Sequence, residues 1–211
     1  MSLFNHLSVP ALLAALLLGC ASSKQAAPSG GEIIVGGSSD LVPEKNTPVA
    51  TNDYAALQKK YAGYLNTTPD QITNIKLYQF IDEWLSTPYR WGGVDKRGID
   101  CSSLMQQLLK KVYSISIPRT SVQQFFTDWI DKFGSSRYLS EGDLVFFRTM
   151  DDKVVSHVGL YLGNRMFVNA SSSKGVSIAN LDDPYWKTRF VGAGRIKVSM
   201  IGRFADQQSK H

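Results

Sequence analysis

Two cysteines in 211 residues, and three histidines of which two stand near the chain ends, leave this sequence without the material for a disulfide framework or a His/Cys metal cluster. No protein metal site and no cofactor are expected. Lys and Arg are absent from Met1 to Gly19, no apolar run is long enough to cross a bilayer as a helix, and no internal repeat is visible. Charge of one sign is also modest. The 23 Lys and Arg against 18 Asp and Glu give +5, which suits an anionic partner but is too weak to argue for nucleic acid. What is present, 43% hydrophobic and 19% charged residues, is enough for one well-buried domain with length left over.

That extra length lies at the N-terminal end. Ala11 to Gly19 reads Ala-Leu-Leu-Ala-Ala-Leu-Leu-Leu-Gly, too short to span a membrane and of the right length for a signal-peptide core. Leu17-Leu18-Gly19-Cys20 resembles the lipobox of bacterial lipoproteins, in which the cysteine thiol receives diacylglycerol and becomes the new N-terminus. The competing reading is a buried N-terminal helix. Residues 20–53 are rich in Ser, Ala, Gly and Pro without apolar periodicity, the pattern of a flexible tether that reaches at most ~110–120 Å extended and averages ~30 Å as a coil. The expected organisation is a signal peptide over 1–19, a lipidated tether over 20–53, one domain over 54–204 and a tail over 205–211. Without the tether the chain carries 21 basic and 14 acidic residues, so the domain is more basic than the whole. Ala21, in place of an aspartate that retains some lipoproteins at the inner membrane, points to an outer-membrane anchor facing the periplasm of a bacterial cell envelope.

Within the domain the hydrophobic period changes once. Tyr54 to Leu65 is helical in pattern, and Thr68-Pro69-Asp70-Gln71 predicts a capped start for a helix running to about Leu85. Leu104, Leu108 and Val112 recur at helical spacing, and a further helix is expected over Val122 to Phe133. From Asp143 alternation takes over. Leu144 to Phe147, Val154 to Leu162, Met166 to Ala170, Val176 to Ala179 and Phe190 to Val198 read as about five strands. Helices first and strands after indicate an α+β domain on a mostly antiparallel sheet.

If Cys20 is lipidated, Cys101 is the single free thiol, in an envelope where cysteines generally pair or are avoided. It directly precedes the helical stripe that starts at Leu104, so Asp100 or a near neighbour is expected to cap that helix with Cys101 in its first turn, where the N–H groups would favour its thiolate and offer an oxyanion site. Its bland alternative is a small buried hydrophobe. His157 lies in a strand apolar on both faces and, taken alone, reads as a core histidine. Together they form the minimum for nucleophile and base. Asn169 on the next strand can fix the imidazole, although a two-residue turn at Gly163-Asn164 would oppose it to Val158, so a bulge or odd loop must intervene to bring it opposite His157. The alternative is that Asn169 only finishes a strand.

Six ordered segments carry a family resemblance: Tyr89-Arg90-Trp91-Gly92-Gly93, Gly98-Ile99-Asp100-Cys101-Ser102, Pro118-Arg119-Thr120-Ser121-Val122-Gln123, Glu141 to Phe147, His157 to Gly163, and Phe167-Val168-Asn169-Ala170-Ser171. They resemble the motifs of NlpC-type cell-wall peptidases, and Pro184-Tyr185-Trp186 is similar to the lipoprotein members that cut murein cross-links. The resemblance, over about Lys76 to Ile196, implies a papain-like fold in which Cys101 attacks an amide, His157 shuttles the proton and residue 169 orients it. It further implies that Tyr89 helps hold the oxyanion, and that Trp91, Asp100, Ser102 and Ser121 line the substrate groove. Local alternatives are packing for Trp91, capping for Asp100 and Ser102, and a helix start for Ser121.

Two positions depart from the family. Asn169 stands where His is usual, and Thr120 stands where members recognising a free L-Ala terminus carry an acid, which points toward cross-link cleavage. The resulting expectation is a lipid-anchored cysteine endopeptidase acting on peptidoglycan peptides. The alternatives are a catalytically silent murein-binding lipoprotein and a papain-like amidase or acyltransferase on another acyl substrate.

Overall fold

The computed structural model describes residues 52–197 and 199. The expected signal segment, Cys20, most of the tether and the 205–211 tail lie outside the described residues. Helix α1 covers Asn52–Leu65, close to its expected span. The helix expected from Thr68 to Leu85 is shorter. Pro69–Gln71 forms only a 3-10 turn, and α2, Ile75–Trp84, starts anew where Asn74 Oδ1 accepts the Leu77 N–H at 3.3 Å. The expected side-chain cap at Thr68 is not made; the β-branched Ile72 and Thr73 lie between the turn and the Asn74 cap, and Ile72 turns fully inward.

A small hairpin, β1 (Val94–Asp95) with β2 (Gly98–Ile99), delivers the chain to α3, Cys101–Tyr113. Asp100 caps α3 by accepting the Ser103 N–H at 2.8 Å, and Ser114 ends it in the left-handed region. Helix α4 spans Ser121–Phe126, and Thr120 and Gln123 complete a capping box at its start. The helix expected to continue to Phe133 stops at the extended Thr127, and Ile130–Phe133 is instead strand β3. Tertiary packing overrides helical period here. Ile130 fills the space above Gly194, where an added Cβ would meet its Cδ1 at 2.4 Å, and β3 pairs with the last strand.

The remaining strands are β4 (Leu144–Phe147), β5 (His157–Gly163), β6 (Met166–Ser171), β7 (Gly175–Asn180) and β8 (Phe190–Ile196), with the one-turn helix α5 (Pro184–Lys187) between the last two. The main sheet has six strands in the order β3-β8-β4-β5-β6-β7, all neighbours antiparallel, one more than expected because β3 joins its edge. Its two faces differ. Val158, Leu160, Leu162, Val168 and Ala170 join an aliphatic core with α2 and α3, in which Leu104, Met105 and Leu108 are fully buried. Phe147, Tyr161, Phe167 and Trp186 form a second, aromatic core. Burying one such large side chain contributes about 1.5–3 kcal/mol, so both faces anchor the central strands.

Candidate active site

His157 opens β5 and Asn169 lies near the end of β6, so their meeting depends on hairpin register. The turn falls at Asn164-Arg165, both at positive φ (46° and 68°), one residue later than expected. Gly163 pairs with Met166 and Tyr161 with Phe167, leaving Leu162 as a bulge, and Asn169 pairs with Gly159. The expected bulge is present, but Asn169 is not opposite His157. It sits one diagonal step away on the same face. Gly159 makes this step usable. A Cβ there would meet Phe167 Cδ2 at 2.6 Å, and the bare position leaves room beside it.

Across this gap His157 Nε2 and Asn169 Oδ1 are 3.2 Å apart. Asn169 Nδ2 donates to the Ser177 carbonyl at 3.4 Å, so the amide presents its oxygen to the ring. Nε2 therefore carries the hydrogen, and Nδ1 is the basic nitrogen. Trp186 stacks on the imidazole at 5.0 Å and 30°, with the Phe147 ring 6.0 Å away. Burial pushes His157 down to about 4, against the Asn169 bond that favours protonation.

Cys101 is the first residue of α3, and its thiol stands against the backbone N–H of Val158, the residue after His157. A lowered thiol pKa was expected from the helix terminus, and the opposite is found. Burial pushes the thiol up to about 11, outweighing the N–H of Val158, while the neighbouring Asp100 carboxylate also pushes it up. Thiol and imidazole are both neutral at rest. Tyr89, bridged to Ile99, is half-buried, and burial followed by the proximity of Cys101 and Asp100 pushes its hydroxyl up to about 12. It remains a donor at neutral pH.

Behind the thiol, Asp100 accepts from Arg119 Nη2 at 2.6 Å and Nη1 at 3.1 Å, from Ser102 Oγ at 3.0 Å and from the Gly92 N–H at 3.1 Å. Arg119 also donates to Ser102 Oγ at 2.9 Å. Asp100 and Ser102 thus perform the capping and bracing roles, Ser121 is buried at the start of α4, and Thr120 is occupied by its capping box.

A cavity of about 640 Å³ opens beside this centre, lined by Tyr89, Trp91, His157, Asn169 and Trp186 among others; Cys101, Asp100, Ser102 and Ser121 do not line it. Trp91 is 74% exposed, which removes the packing alternative for it. Among the described residues no group of three metal-binding side chains forms. Arg119 and Trp186 belong to motifs visible in the sequence, yet neither had a role there. The signals were an arginine beside a motif with one buried acid, and a proline-started turn bearing tryptophan.

The model of the NlpC/P60 family matches residues 86–195. A probable endopeptidase NlpC homolog of Haemophilus influenzae is 43% identical over 115 residues, covering 54% of this chain and 58% of that protein. The murein DD-endopeptidase MepS/murein LD-carboxypeptidase of Escherichia coli K12 is 31% identical over 188 residues, covering 89% of this chain and 90% of that one. Among solved structures, a lipoprotein-like NLP/P60 family protein of Staphylococcus aureus matches with TM-score 0.52 and 30% identity, over 59% of this chain and 41% of that chain. A NlpC/P60 family protein of Bacillus cereus matches with TM-score 0.51 and 28% identity, over 59% and 40% respectively. The present chain spans only about two fifths of each of these two structures.

Proposed function

The chain belongs to the NlpC/P60 family, and from that premise we propose that it is a lipid-anchored cysteine endopeptidase hydrolysing amide bonds of peptidoglycan peptides, with Cys101 as nucleophile, His157 as base and Asn169 as its orienter. The observation that carries this reading is the His157–Asn169 hydrogen bond at the wall of a cavity, with Nδ1 left basic and the Cys101 thiol against the adjoining Val158 amide. Because both groups rest neutral, His157 Nδ1 takes the thiol proton as Sγ attacks the carbonyl carbon. The carbonyl oxygen gains charge and is held by N–H groups at the start of α3 and by the Tyr89 hydroxyl. Collapse breaks the C–N bond, the departing amine takes the proton from His157, and a thioester remains. Water then gives its proton to His157, attacks the thioester and releases the acid, and the thiol recovers its hydrogen.

Digestion of murein by the purified protein, followed by mass analysis, tests this reading. The wild type should release peptides with new amino and carboxyl ends, and Cys101→Ala, which removes little buried volume, should release none while keeping its fold. Binding without cleavage by the wild type would favour the silent murein-binding alternative. The anchor rests on the Leu17 to Cys20 sequence. Cys20→Ser in the full chain should lose palmitate labelling and leave the membrane fraction, and persistent labelling would remove the anchor from the proposal.

A further inference from the structure

We propose that Arg165 is a positioning residue for the His157 base: gripping Asp182, it ties the β5–β6 turn to the loop that opens α5, and so holds Asn169 and Trp186 on the same imidazole. This rests on the peptidase reading above. Arg165 precedes Asn169 by four residues, about 13 Å along a strand, so it acts through other groups and touches no reacting atom.

The turn breaks a local rule. A two-residue hairpin turn with both φ positive favours Asn followed by Gly. Asn164 obeys this, but Arg165 stands at φ +68°, where a side chain is strained and a glycine is not. The arginine supplies what a glycine could not. Its Nε and Nη2 fork onto the two carboxylate oxygens of Asp182 at 3.1 and 3.0 Å, and its Nη1 donates to the Ser136 carbonyl at 3.3 Å. Its backbone is equally engaged. The N–H donates to the Tyr161 hydroxyl at 3.1 Å, and the carbonyl accepts from the Leu181 N–H at 2.8 Å.

Each end of this clasp leads to the imidazole. On one side Arg165 opens directly into β6, which carries Asn169 to His157 Nε2. On the other, the chain leaves the β6–β7 ladder at Asn180, the partner of Met166, and Asp182 is the second residue beyond it. The carbonyl of the next residue, Asp183, accepts the N–H groups of Trp186 at 3.0 Å and Lys187 at 2.8 Å, which starts α5. Trp186 then stacks on His157. Helix α5 is a single turn without a side-chain cap, and Trp186 is its one buried residue. So short a helix does not hold itself in place. The aromatic core grips Trp186 from within, and the fork onto Asp182 fixes the preceding loop from outside.

Asn169 meets the edge of the ring and Trp186 covers its face. Slippage between turn and loop would move these two contacts relative to each other, and one ring cannot follow both. Arg165 and Asp182 do not line the cavity. Losing their bond should therefore disturb the orientation of the base without removing a contact to substrate, which places the effect in kcat and not in KM.

Steady-state rates on one defined cross-linked muropeptide test this. Arg165→Gly removes the fork but suits a φ of +68°, so the turn and the thermal melt should be retained. Its kcat should fall about 3- to 10-fold with KM little changed. Asp182→Asn, at an exposed position, should slow by a similar factor, and the double variant should be no slower than either single one. Arg165→Lys, which keeps the charge but not the fork, should recover part of the rate. Wild-type kcat in both single variants, a change confined to KM, or effects that multiply in the double variant would overturn the positioning role and leave the peptidase reading standing. A wild type that cuts neither this muropeptide nor murein overturns both.

Discussion

The residues around Cys101 and those around His157 each hold a reactive side chain still, but with different chemistry. On the helix side, one buried carboxylate, Asp100, gathers an arginine, a serine and two backbone N–H groups. On the sheet side, a neutral amide and two aromatic rings surround the imidazole, with no formal charge in direct contact among the described partners. Charged bracing depends on pH and salt, whereas aromatic packing depends on shape. On the proposed mechanism the first wall serves stability and the second serves proton transfer.

The largest effect that would break this division lies at Asn169. Asn169→Ala should lower kcat on a defined muropeptide by about 10- to 1,000-fold with little change in KM, because the ring loses its tautomer and orientation. Asn169→His should retain activity. Wild-type rates for the alanine variant would reduce Asn169 to the end of a strand.

Next in size is Arg119→Met, which leaves Asp100 buried without its cation. A loss of about 1–3 kcal/mol in urea unfolding is expected, discounted because the Arg119 side chain is 38% exposed, with kcat falling less than for Asn169→Ala. Burial by itself would raise the Asp100 carboxyl, but the Arg119 bond and the Ser103 N–H outweigh it and hold it below the usual range. A depressed carboxyl contributes stability above its unfolded value of about 3.9, and that contribution is lost as pH falls toward the folded value. The variant should accordingly begin acid unfolding at higher pH than the wild type. An unchanged acid profile would show that the network braces nothing.

The smallest change sharpens the sheet side. Trp186→Leu opens the imidazole to water, so the depressed His157 pKa should rise from about 4 toward its ordinary 6.5. In the proposed mechanism His157 works when neutral, and the acid limb of kcat/KM should therefore move to higher pH. Activity near pH 5 falls while activity near pH 8 changes little. A limb that stays in place would show that Trp186 only packs.

What could be read from the sequence follows the range of the forces involved. Asp100 capping α3 is a contact between near neighbours, and local pattern is sufficient to find it. The pairing of His157 with Asn169 was legible as chemistry, but their register was not, because it depends on where one residue leaves the ladder. The fate of Ile130 was hidden for a similar reason. Its neighbours read as helix until Gly194, more than sixty residues later, offers the space it fills. The direction of the Cys101 shift was missed because a helix end is visible in sequence and the packing that desolvates a thiol is not.

The unpaired Leu162 has a consequence for how this hairpin tolerates changes in length. Strand side chains alternate in odd and even sets, and pairing partners share a set. With Gly163 and Met166 fixed by the turn, an uninterrupted ladder would match Asn169 to Leu160 and turn its amide toward the aliphatic helices. Skipping one residue exchanges odd for even and returns the amide to the imidazole. Evolution can thus drop residue 162 altogether and keep the partnership, because the remaining pairs are unchanged. A single residue inserted between 157 and 159 reverses the parity and separates the two groups without altering either one.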